Sequence, residues 1–331
     1  MLLLDKMIAA SACIALIAAS SATPDALAQT RAYPTRVVKI IVPFAPGGGN
    51  DAFARQVGQR LGESWKQPVI IDNRPGAGGN IGTAAAAKAA PDGYTLLLGH
   101  TGTLSINPGL YGSKLPYDSQ KDFVPVSMVA TTPLVLVVHP GMKIDSLKDI
   151  IALATERPTQ LNYASSGSGT GSHLSGELFE HMAGIKITHV PYKGTSPAIT
   201  DLLGGQVQMM FSVIPTALPH IRAGKLKAIA VTGASRMALL PNVPTMVEAG
   251  LPGYESTLTY GILAPKGTPE PIVKEIHAQI AAALESGRLK ETLAVEGADT
   301  LSGSPTEYAA LIKSETAKWG KLIKDSDVRA D

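Results

Sequence analysis

The segment Val37–Arg55 combines a strand, a glycine loop and the start of a helix, and it constrains the fold more than any other stretch of the chain. It opens with VVKIIV, an apolar and largely β-branched run of strand length. Three consecutive glycines follow within the sequence PFAPGGGND. Apolar residues then repeat at helical spacing: Phe53, Val57, Leu61 and Trp65. We expect Asn50 or Asp51 to cap this helix, so that loop N–H groups and the positive helix end form an anion site.

The N-terminal segment has the features of a cleavable export signal. Lys6 precedes an almost wholly apolar run of twelve residues, Ile8–Ala19, and Ala26–Ala28 matches the small-x-small cleavage pattern. The run is shorter than the roughly 20 residues that a membrane-spanning helix needs. We therefore predict that residues 1–28 are a signal peptide, cleaved after Ala28, and that the mature protein is exported.

Composition narrows the classes of partner. The single cysteine, Cys13, lies inside the predicted signal, so the mature chain has no disulfide. Removing residues 1–28 takes away Lys6, Asp5 and Asp25, and the formal charge changes from +2 to +3. No Lys/Arg run or aromatic-basic stripe is present, so we expect no nucleic-acid partner. A slightly basic exported protein suits a small anionic solute.

Strands that end in small-residue loops recur in the first part of the chain. After the Val37 strand, the pattern predicts strands at Val69–Asp72 and Tyr94–Leu98 and an alanine-rich helix at Ile81–Ala90. The two later strands lead into the loops NRPGAGGN and GHTGT. Because parallel strands share their carboxyl edge, where ligands bind in open sheets, these loops should lie together.

A second series of strands and helices begins with the long apolar segment Pro133–Pro140, which we interpret as a strand that crosses into a second domain. The strand Leu161–Ala164, the loop Ser165–His173 and the helix Leu174–Ala183 repeat the pattern of the first domain. Tyr260–Pro265 is predicted to return to the first domain, and two crossings make a hinge. Capping boxes at residues 146–149 and 304–307 predict two helix starts.

The glycine loop also resembles a dinucleotide-binding fingerprint. Gly47–Ala52 matches G-x-G-x-x-A, and Asp72 ends the second strand, where a ribose-binding acid would lie. However, Pro43–Pro46 separates the strand from the glycines, whereas the fingerprint requires its first glycine at the turn itself. This enzyme alternative therefore stays remote.

Other catalytic signals are weak. Gly194–Ala198 lacks the final glycine of a nucleophile elbow, and no Walker lysine follows a glycine loop. The seven histidines do not show metal-ligand spacing. We therefore expect no cofactor, no metal and no enzymatic activity.

Five motifs, in order along the chain, resemble the Bug-type solute receptors of tripartite tricarboxylate transporters. These motifs are PFAPGGGND at Pro43–Asp51, DNRPGAGG at Asp72–Gly79, PDGY at Pro91–Tyr94, PYKG at Pro191–Gly194 and LPNVPT at Leu240–Thr245. The resemblance extends from about Tyr33 to the C-terminus. It implies an α/β, two-lobed periplasmic binding protein of the Venus-flytrap type II class, in which each lobe is a mostly parallel sheet flanked by helices.

The resemblance also implies domains, partners and a site. Lobe 1 would comprise residues 29–133 and 255–331, and lobe 2 residues 134–254. A monomer would close on a small carboxylate and deliver it to integral-membrane permease subunits. The predicted ligand-binding residues are Phe44, Ala45, Gly47, Gly48, Gly49, Asn50, Asp51, Gly79, Thr101, Ser165, Ser166, Gly167, Thr170, His173 and Asp201. Asp201 matches a family position that can meet an amine or hydroxyl of the ligand, although a solvated helix residue is an equal alternative.

Two functional classes remain open at this point. The same lobes could serve a transport receptor or a ligand sensor that presents its carboxylate to a signalling receptor. The family's ligands range from amino-acid dicarboxylates to citrate-like and aromatic acids, so the resemblance does not name this ligand.

Overall fold

The computed structural model describes residues 33–47, 49–295, 297–326 and 328–329. The chain divides into a short N-terminal unit that ends at Thr35 and a body that begins at Arg36, and the description below concerns the body. The predicted signal peptide and its cleavage site lie outside the described residues. Gly48 of the glycine loop also lies outside them.

Three parallel strands form the first part of the sheet: β1 (Val38–Val42), β2 (Val69–Asn73) and β3 (Thr95–His100). β1 pairs with β2 on one side and with β3 on the other. Ile40, Ile41 and Val42 are at most 2% exposed, so both faces of β1 are buried there, which explains a continuous apolar run rather than an alternating one. The three strands predicted here are confirmed.

Two helices connect these strands: α1 (Gly49–Trp65) and α2 (Asn80–Ala87). The predicted apolar face of α1 is buried at Phe53, Val57 and Leu61, each at most 2% exposed. The prediction of its cap is wrong, because α1 already begins at Gly49. Asp51 therefore lies in the first helical turn rather than at the cap.

After β3 the chain forms a buried π-helix, Gly102–Ile106, and the short helix α3 (Asn107–Tyr111). It then enters β4 (Phe123–Val138), a strand of 16 residues. Only Pro133–Pro140 was predicted to form this strand. β4 runs antiparallel to β9 (Thr257–Pro265) up to the pair Pro133–Thr257, and to β7 (Met209–Val213) from the pair Leu134–Val213 onward.

The second part of the sheet contains β5 (Asn162–Ser165) and β6 (Thr188–Pro191), which run parallel, and β5 is also parallel to β7. β8 (Lys227–Val231) pairs with β4. The helices here are α4 (Leu147–Glu156), α5 (Gly171–Ala183), α6 (Thr195–Leu203) and α7 (Ile214–Arg222).

Beyond β9 the chain forms α8 (Glu270–Glu285), α9 (Arg288–Val295), the two-residue strand β10 (Asp299–Thr300) on β4, and α10 (Pro305–Asp325). Both predicted capping boxes are confirmed, with Ser146 and Asp149 at α4 and Ser304 and Glu307 at α10.

The strands form one curved sheet in the order β2-β1-β3-β9-β4-β7-β5-β6. The predicted α/β fold of a two-lobed binding protein is confirmed, with parallel strands toward both ends and the antiparallel strands β4 and β9 between them. In the part of the chain that the structure describes, no helix has both the length and the apolar character to cross a membrane.

Candidate functional site

Two loops leave the carboxyl ends of parallel strands and run directly into helices. The first follows β1 and leads into α1 at Gly49, and the second follows β5 and leads into α5 at Gly171. Helix geometry leaves the first N–H groups of each helix without an intrahelical acceptor. These are the two loops that the sequence analysis selected, so the candidate site is built around them.

The carboxylate of Asp51 anchors the first loop through hydrogen bonds. Its Oδ2 accepts the N–H of Gly47 at 3.0 Å and the Nε–H of Arg55 at 2.9 Å. Asn73, at the end of β2, donates through Nδ2 to Asp51 Oδ1 at 3.0 Å and to the carbonyl of Phe44 at 3.1 Å. Burial alone would raise the pKa of Asp51, but the bonds from Arg55, Gly47 and Asn73 hold it below its usual value. Both carboxylate oxygens are thus used to fix the loop.

Phe44 extends the first loop toward the loops that follow β2 and β3. Its ring lies 4.8 Å from the ring of His100, measured between centroids. A Cβ at Gly79 would lie 2.6 Å from Thr103 Cγ2 and 3.1 Å from Phe44 Cζ, and Gly79 has a φ of +93°. Gly79 therefore lets the Phe44 ring and Thr103 come together. Phe44 is half-buried, whereas Ala45, Gly47 and Gly49 are exposed.

In the loop after β3, main-chain N–H groups are already hydrogen-bonded to a side chain of the same segment. His100, 7% exposed, accepts the N–H of Gly102 through Nδ1 at 2.8 Å and that of Thr103 at 3.3 Å. Burial lowers the pKa of His100 to about 4. The hydroxyl oxygen of Thr101 accepts the N–H of Thr259 in β9 at 2.8 Å. This loop therefore supports the site by packing, with its first helical N–H groups already paired.

The second loop is held by its own hydroxyl groups and by a histidine from β6. Ser165 Oγ lies 2.6 Å from His189 Nε2 and accepts the N–H of Gly167 at 3.1 Å. Thr170 Oγ1 donates to the carbonyl of Gly167 at 2.6 Å and accepts the N–H of His173 at 3.4 Å, so Thr170 caps α5. The Ser165–His189 pair resembles a nucleophile and base, but Ser165 is 0% exposed and organises the loop instead.

His173 lies behind the second loop. Its Nδ1 accepts the N–H of Gly169 at 3.1 Å, and its Nε2 lies 3.4 Å from Glu177 Oε1. The ring stacks on that of His189 with 3.8 Å between centroids and 10° between planes. His173 is 4% exposed, and both of its ring nitrogens have protein partners. These contacts give the imidazole a positioning role for the loop.

The segment after β3 contacts both the loop after β2 and the second loop. A Cβ at Gly169 would lie 2.6 Å from Leu110 Cδ2 and 3.2 Å from Asn107 Oδ1. Asn107 Nδ2 donates to Asn80 Oδ1 at 2.7 Å and to the carbonyl of Gly78 at 3.3 Å. Asn107, 1% exposed, therefore links the loop after β2 to the loop after β5.

Asp201 in α6 is connected to the second loop through Tyr192. The hydroxyl of Tyr192 donates to Asp201 Oδ2 at 2.7 Å, and the Tyr192 N–H donates to the carbonyl of Ser165 at 3.1 Å. Burial and the bond to Asp201 raise the pKa of Tyr192 to about 12. Asp201 is only partly exposed, which argues against a fully solvated helix residue.

Several residues that shape the site were missed by the sequence analysis: Asn73, His100, Asn107, Glu177 and His189. Two of them carry a local signal, since Asn73 directly follows a strand and Asn107 precedes a proline. His100, Glu177 and His189 carry no such signal, because their roles depend on partners that are not adjacent in sequence or on one particular ring nitrogen. Within the described residues, no group of three or more His, Cys, Asp and Glu side chains is arranged to hold a metal ion.

Comparison with known proteins gives consistent matches over nearly the whole chain. A family model described as tripartite tricarboxylate transporter family receptor matches residues 53–328. Protein BugT from Bordetella pertussis is 41% identical over 298 residues, which cover 90% of this chain and 91% of BugT. A Pseudomonas sp. (strain P51) protein described as a UPF0065 protein in the tcbD-tcbE intergenic region is 41% identical over 320 residues, which cover 96% of this chain and 95% of that protein.

Two solved structures with bound carboxylates are similar as well. An R. palustris protein solved with adipate is 38% identical with a TM-score of 0.83, over 90% of this chain and 100% of that chain. MatC from Rhodopseudomonas palustris, solved with malate, is 35% identical with a TM-score of 0.79, over 88% of this chain and 100% of that chain.

These matches decide between the classes of function. The protein is a solute receptor and not an enzyme, so the dinucleotide-binding alternative is wrong. Receptors of this kind are periplasmic, as in the structure described as periplasmic binding protein BugD, which is 34% identical. The chain belongs to the tripartite tricarboxylate transporter receptor family.

Proposed function

We propose that this protein binds a small organic carboxylate between two lobes and delivers it to the membrane permease of a tripartite tricarboxylate-type transporter. Lobe 1 comprises residues 29–133 and 255–331, and lobe 2 comprises residues 134–254. The mature receptor begins at Gln29 and works in the periplasm. The ligand-binding residues are those of the first loop and of the second loop, with Gly79, Thr101 and Asp201 at their margins.

The observation that carries this proposal is the pair of helix N-termini at Gly49 and Gly171. Each follows a loop whose backbone is held by side-chain hydrogen bonds, while the leading N–H groups of the helix have no intrahelical acceptor. Backbone amides and the positive helix ends attract an anion, and they do so without a buried counter-charge.

Cationic side chains contribute little to this site. Arg55 is bonded to Asp51 and has a side chain 55% exposed, and Arg74 is paired with Asp72. Hydrogen bonds to a charged acceptor contribute about 1.5–3 kcal/mol each. Three such bonds sum to about 5–9 kcal/mol, which is comparable to the roughly 8 kcal/mol of a micromolar complex.

The lobe division is supported by the change of partners in β4 between Pro133 and Leu134. A buried hydroxyl ties the two crossing segments together. Thr232 Oγ1 accepts the N–H of Leu134 at 2.7 Å and donates to the carbonyl of Ser256 at 2.5 Å. Two adjacent crossings with local hydrogen bonds suit a hinge motion.

The class of ligand is supported by relatives. Similar proteins have been solved with adipate and with malate, which are both dicarboxylates. No observation on the described residues favours the sensor alternative, which differs in its partner rather than in its site.

The test is a thermal-shift screen of the mature protein against mono-, di-, tricarboxylic and aromatic acids. A ligand at 100 times its dissociation constant should add about 2.7 kcal/mol of stability. Small-angle scattering with the best acid should show a smaller radius of gyration than without it. A screen in which sugars or cations stabilise the protein and no acid does would overturn the proposal. An unchanged radius at saturation would overturn the lobe closure.

A further inference from the structure

Behind the second loop, residues 166–170, lies a compact group of titratable side chains. His173 from α5 and His189 from β6 stack with 3.8 Å between ring centroids, and Tyr163 from β5 stacks on His189 at 5.0 Å. Glu177, one turn after His173 in α5, completes the group. His173 accepts the N–H of Gly169 directly. His189 contacts the Oγ atom of Ser165, which accepts the N–H of Gly167.

The bond from Gly169 fixes the protonation state of one nitrogen. Gly169 N–H donates to His173 Nδ1 at 3.1 Å, so Nδ1 must present a lone pair. In a neutral imidazole the proton then lies on Nε2. Nε2 faces Glu177 Oε1 at 3.4 Å, and a carboxylate can only accept. The two contacts therefore require the same tautomer.

Glu177 is held as a carboxylate in a site that is mostly buried. Its side chain is 14% exposed, and Oε1 also accepts the hydroxyl of Tyr163 at 2.5 Å. Burial opposes ionisation, but the bonds from His173 and Tyr163 keep the pKa of Glu177 below its usual value. If Glu177 lay on a solvated face of α5, its side chain would be exposed and would not meet the donors of His173 and Tyr163.

We propose that Glu177 is a positioning residue for ligand binding, which selects the Nε2–H tautomer of His173 and so keeps Nδ1 available to the N–H of Gly169. Gly169 has a φ of +77° and lies against Asn107 and Leu110 of the segment after β3. A flipped ring would present a C–H to the Gly169 N–H and the other tautomer would present an N–H, and either change would remove the acceptor and release that segment. The inference rests on the proposed function, in which this loop binds the carboxylate.

The test compares three proteins: wild type, Glu177→Gln and Glu177→Met. The glutamine side chain keeps an acceptor oxygen, whereas methionine has a similar length and no comparable acceptor. Glu156→Met is the matched control, since Glu156 has a side chain 69% exposed and pairs only with its neighbour Arg157 among the contacts described for it. Ring ¹⁵N shifts of ¹⁵N-histidine protein report the tautomer, and His173→Asn assigns the signals of His173.

We expect wild type, Glu177→Gln and Glu156→Met to show His173 as the Nε2–H tautomer. In Glu177→Met we expect loss of that single tautomer and about tenfold faster hydrogen exchange at the Gly169 amide, which is the change that loss of one hydrogen bond produces. Binding of adipate, malate and the other acids of the panel should weaken in Glu177→Met and recover in Glu177→Gln.

Wild-type His173 with its proton on Nδ1 would overturn the inference without any variant, even if Glu177→Met did not fold. A lower melting temperature in Glu177→Met with unchanged tautomer and unchanged Gly169 exchange would also overturn it, because Glu177 would then act only on stability. If the tautomer and exchange change as expected but no acid stabilises wild type, the proposed function fails and the positioning of the loop by Glu177 stands.

Discussion

His100 Nδ1 accepts the main-chain N–H of Gly102 at 2.8 Å, so a buried imidazole takes the place of a capping side chain at the end of β3. The relationship recurs at the end of β4, where His139 Nδ1 accepts the N–H of Gly141 at 3.1 Å. Nδ1 lies at the same position along the side chain as the Oδ1 atom of asparagine, which explains the likeness to an Asx turn. Because Nδ1 must be unprotonated, both bonds depend on neutral histidine.

The first prediction concerns the pH dependence of stability. The pKa of His100 falls to about 4 in the folded protein, against 6.5 for an unperturbed histidine. Its stabilising contribution is therefore complete above pH 6.5 and is lost as the pH falls toward 4, since only the unfolded chain takes up the proton in this range. The total loss is about 3 kcal/mol. Urea unfolding between pH 4 and 7 measures it.

His100→Asn provides the matched control for that measurement. Asparagine keeps an acceptor at the Nδ1 position but does not titrate, although it loses the ring contacts with Phe44 and Tyr260. The variant should be less stable overall, with a shallower pH dependence between 4 and 6.5. An equal slope in both proteins would show that His100 is not the group responsible.

The second prediction concerns the first loop. Gly49→Asp adds a carboxylate at the start of α1, where an anionic ligand would meet the helix N-terminus, so binding of every acid in the panel should be abolished. The fold should be retained, because a Cβ at Gly49 meets only Phe53 at 4.0 Å and an acidic residue suits a helix N-terminus. Calorimetry with the best acid and thermal unfolding measure the two effects. Gly49→Ala, which adds the Cβ alone, should bind nearly as well as wild type.

The third prediction concerns the contact between the second loop and the segment after β3. Gly169→Ala places a Cβ 2.6 Å from Leu110 Cδ2 and keeps a φ of +77°, whereas Gly184→Ala keeps a φ of +64° with nothing within 4 Å. Both variants should lose about 1–2 kcal/mol of folding stability, because a residue with a Cβ disfavours the left-handed backbone conformation. Gly169→Ala should lose a further amount of about 1–3 kcal/mol through overpacking. Urea unfolding compares them, and equal losses would argue that the second loop and the segment after β3 are apart in solution.

The fourth prediction concerns the hinge. Thr232→Val removes the hydroxyl that bonds Leu134 N and the Ser256 carbonyl, both in buried surroundings. Stability should fall by about 1–3 kcal/mol because these groups lose a partner. Thr155→Val removes an exposed hydroxyl bonded to the Ile151 carbonyl and should change stability by no more than about 0.5 kcal/mol. Similar losses in both variants would contradict a special role for Thr232.

The fifth prediction concerns export. Ala26–Ala28 follows the apolar run Ile8–Ala19, so the exported protein should begin at Gln29. Intact mass of the periplasmic fraction decides this. A mass that includes residues 1–28, or an acylated Cys13, would contradict the prediction.

The helix starts show what can be predicted from neighbouring residues alone. Ser146 and Ser304 were correctly identified as caps because their acidic partners lie three residues on, within the same turn. Asp51 is also of a residue type that favours a cap, yet it lies inside α1, where its carboxylate accepts bonds from Gly47 and Asn73. Asn73 belongs to another strand, and only the folded sheet brings it to the loop.

Strand β4 shows the same limit at longer range. Leu134–Val138 could be predicted because five apolar residues in sequence are buried on both faces. The residues before Pro133 contain Ser127, Thr131 and Thr132, and they become strand through pairing with β9, far along the chain. The sequence near these residues contains no pattern that indicates pairing with β9.

The order of strands and helices and the glycine loops before two helices could be predicted from the sequence, because they depend on residue preferences and spacing over a few turns. The resemblance of five short motifs indicated the family. Tertiary structure alone decided what each polar group at the site does. His173 was predicted as the last residue of the loop Ser165–His173, but only the fold brings Glu177 to its Nε2 and leaves Nδ1 for Gly169. Asn107 and Gly169 become neighbours only when the sheet brings the second loop to the segment after β3. Hydrogen-bond partners distant in sequence are selected by packing, and packing is a property of the whole chain.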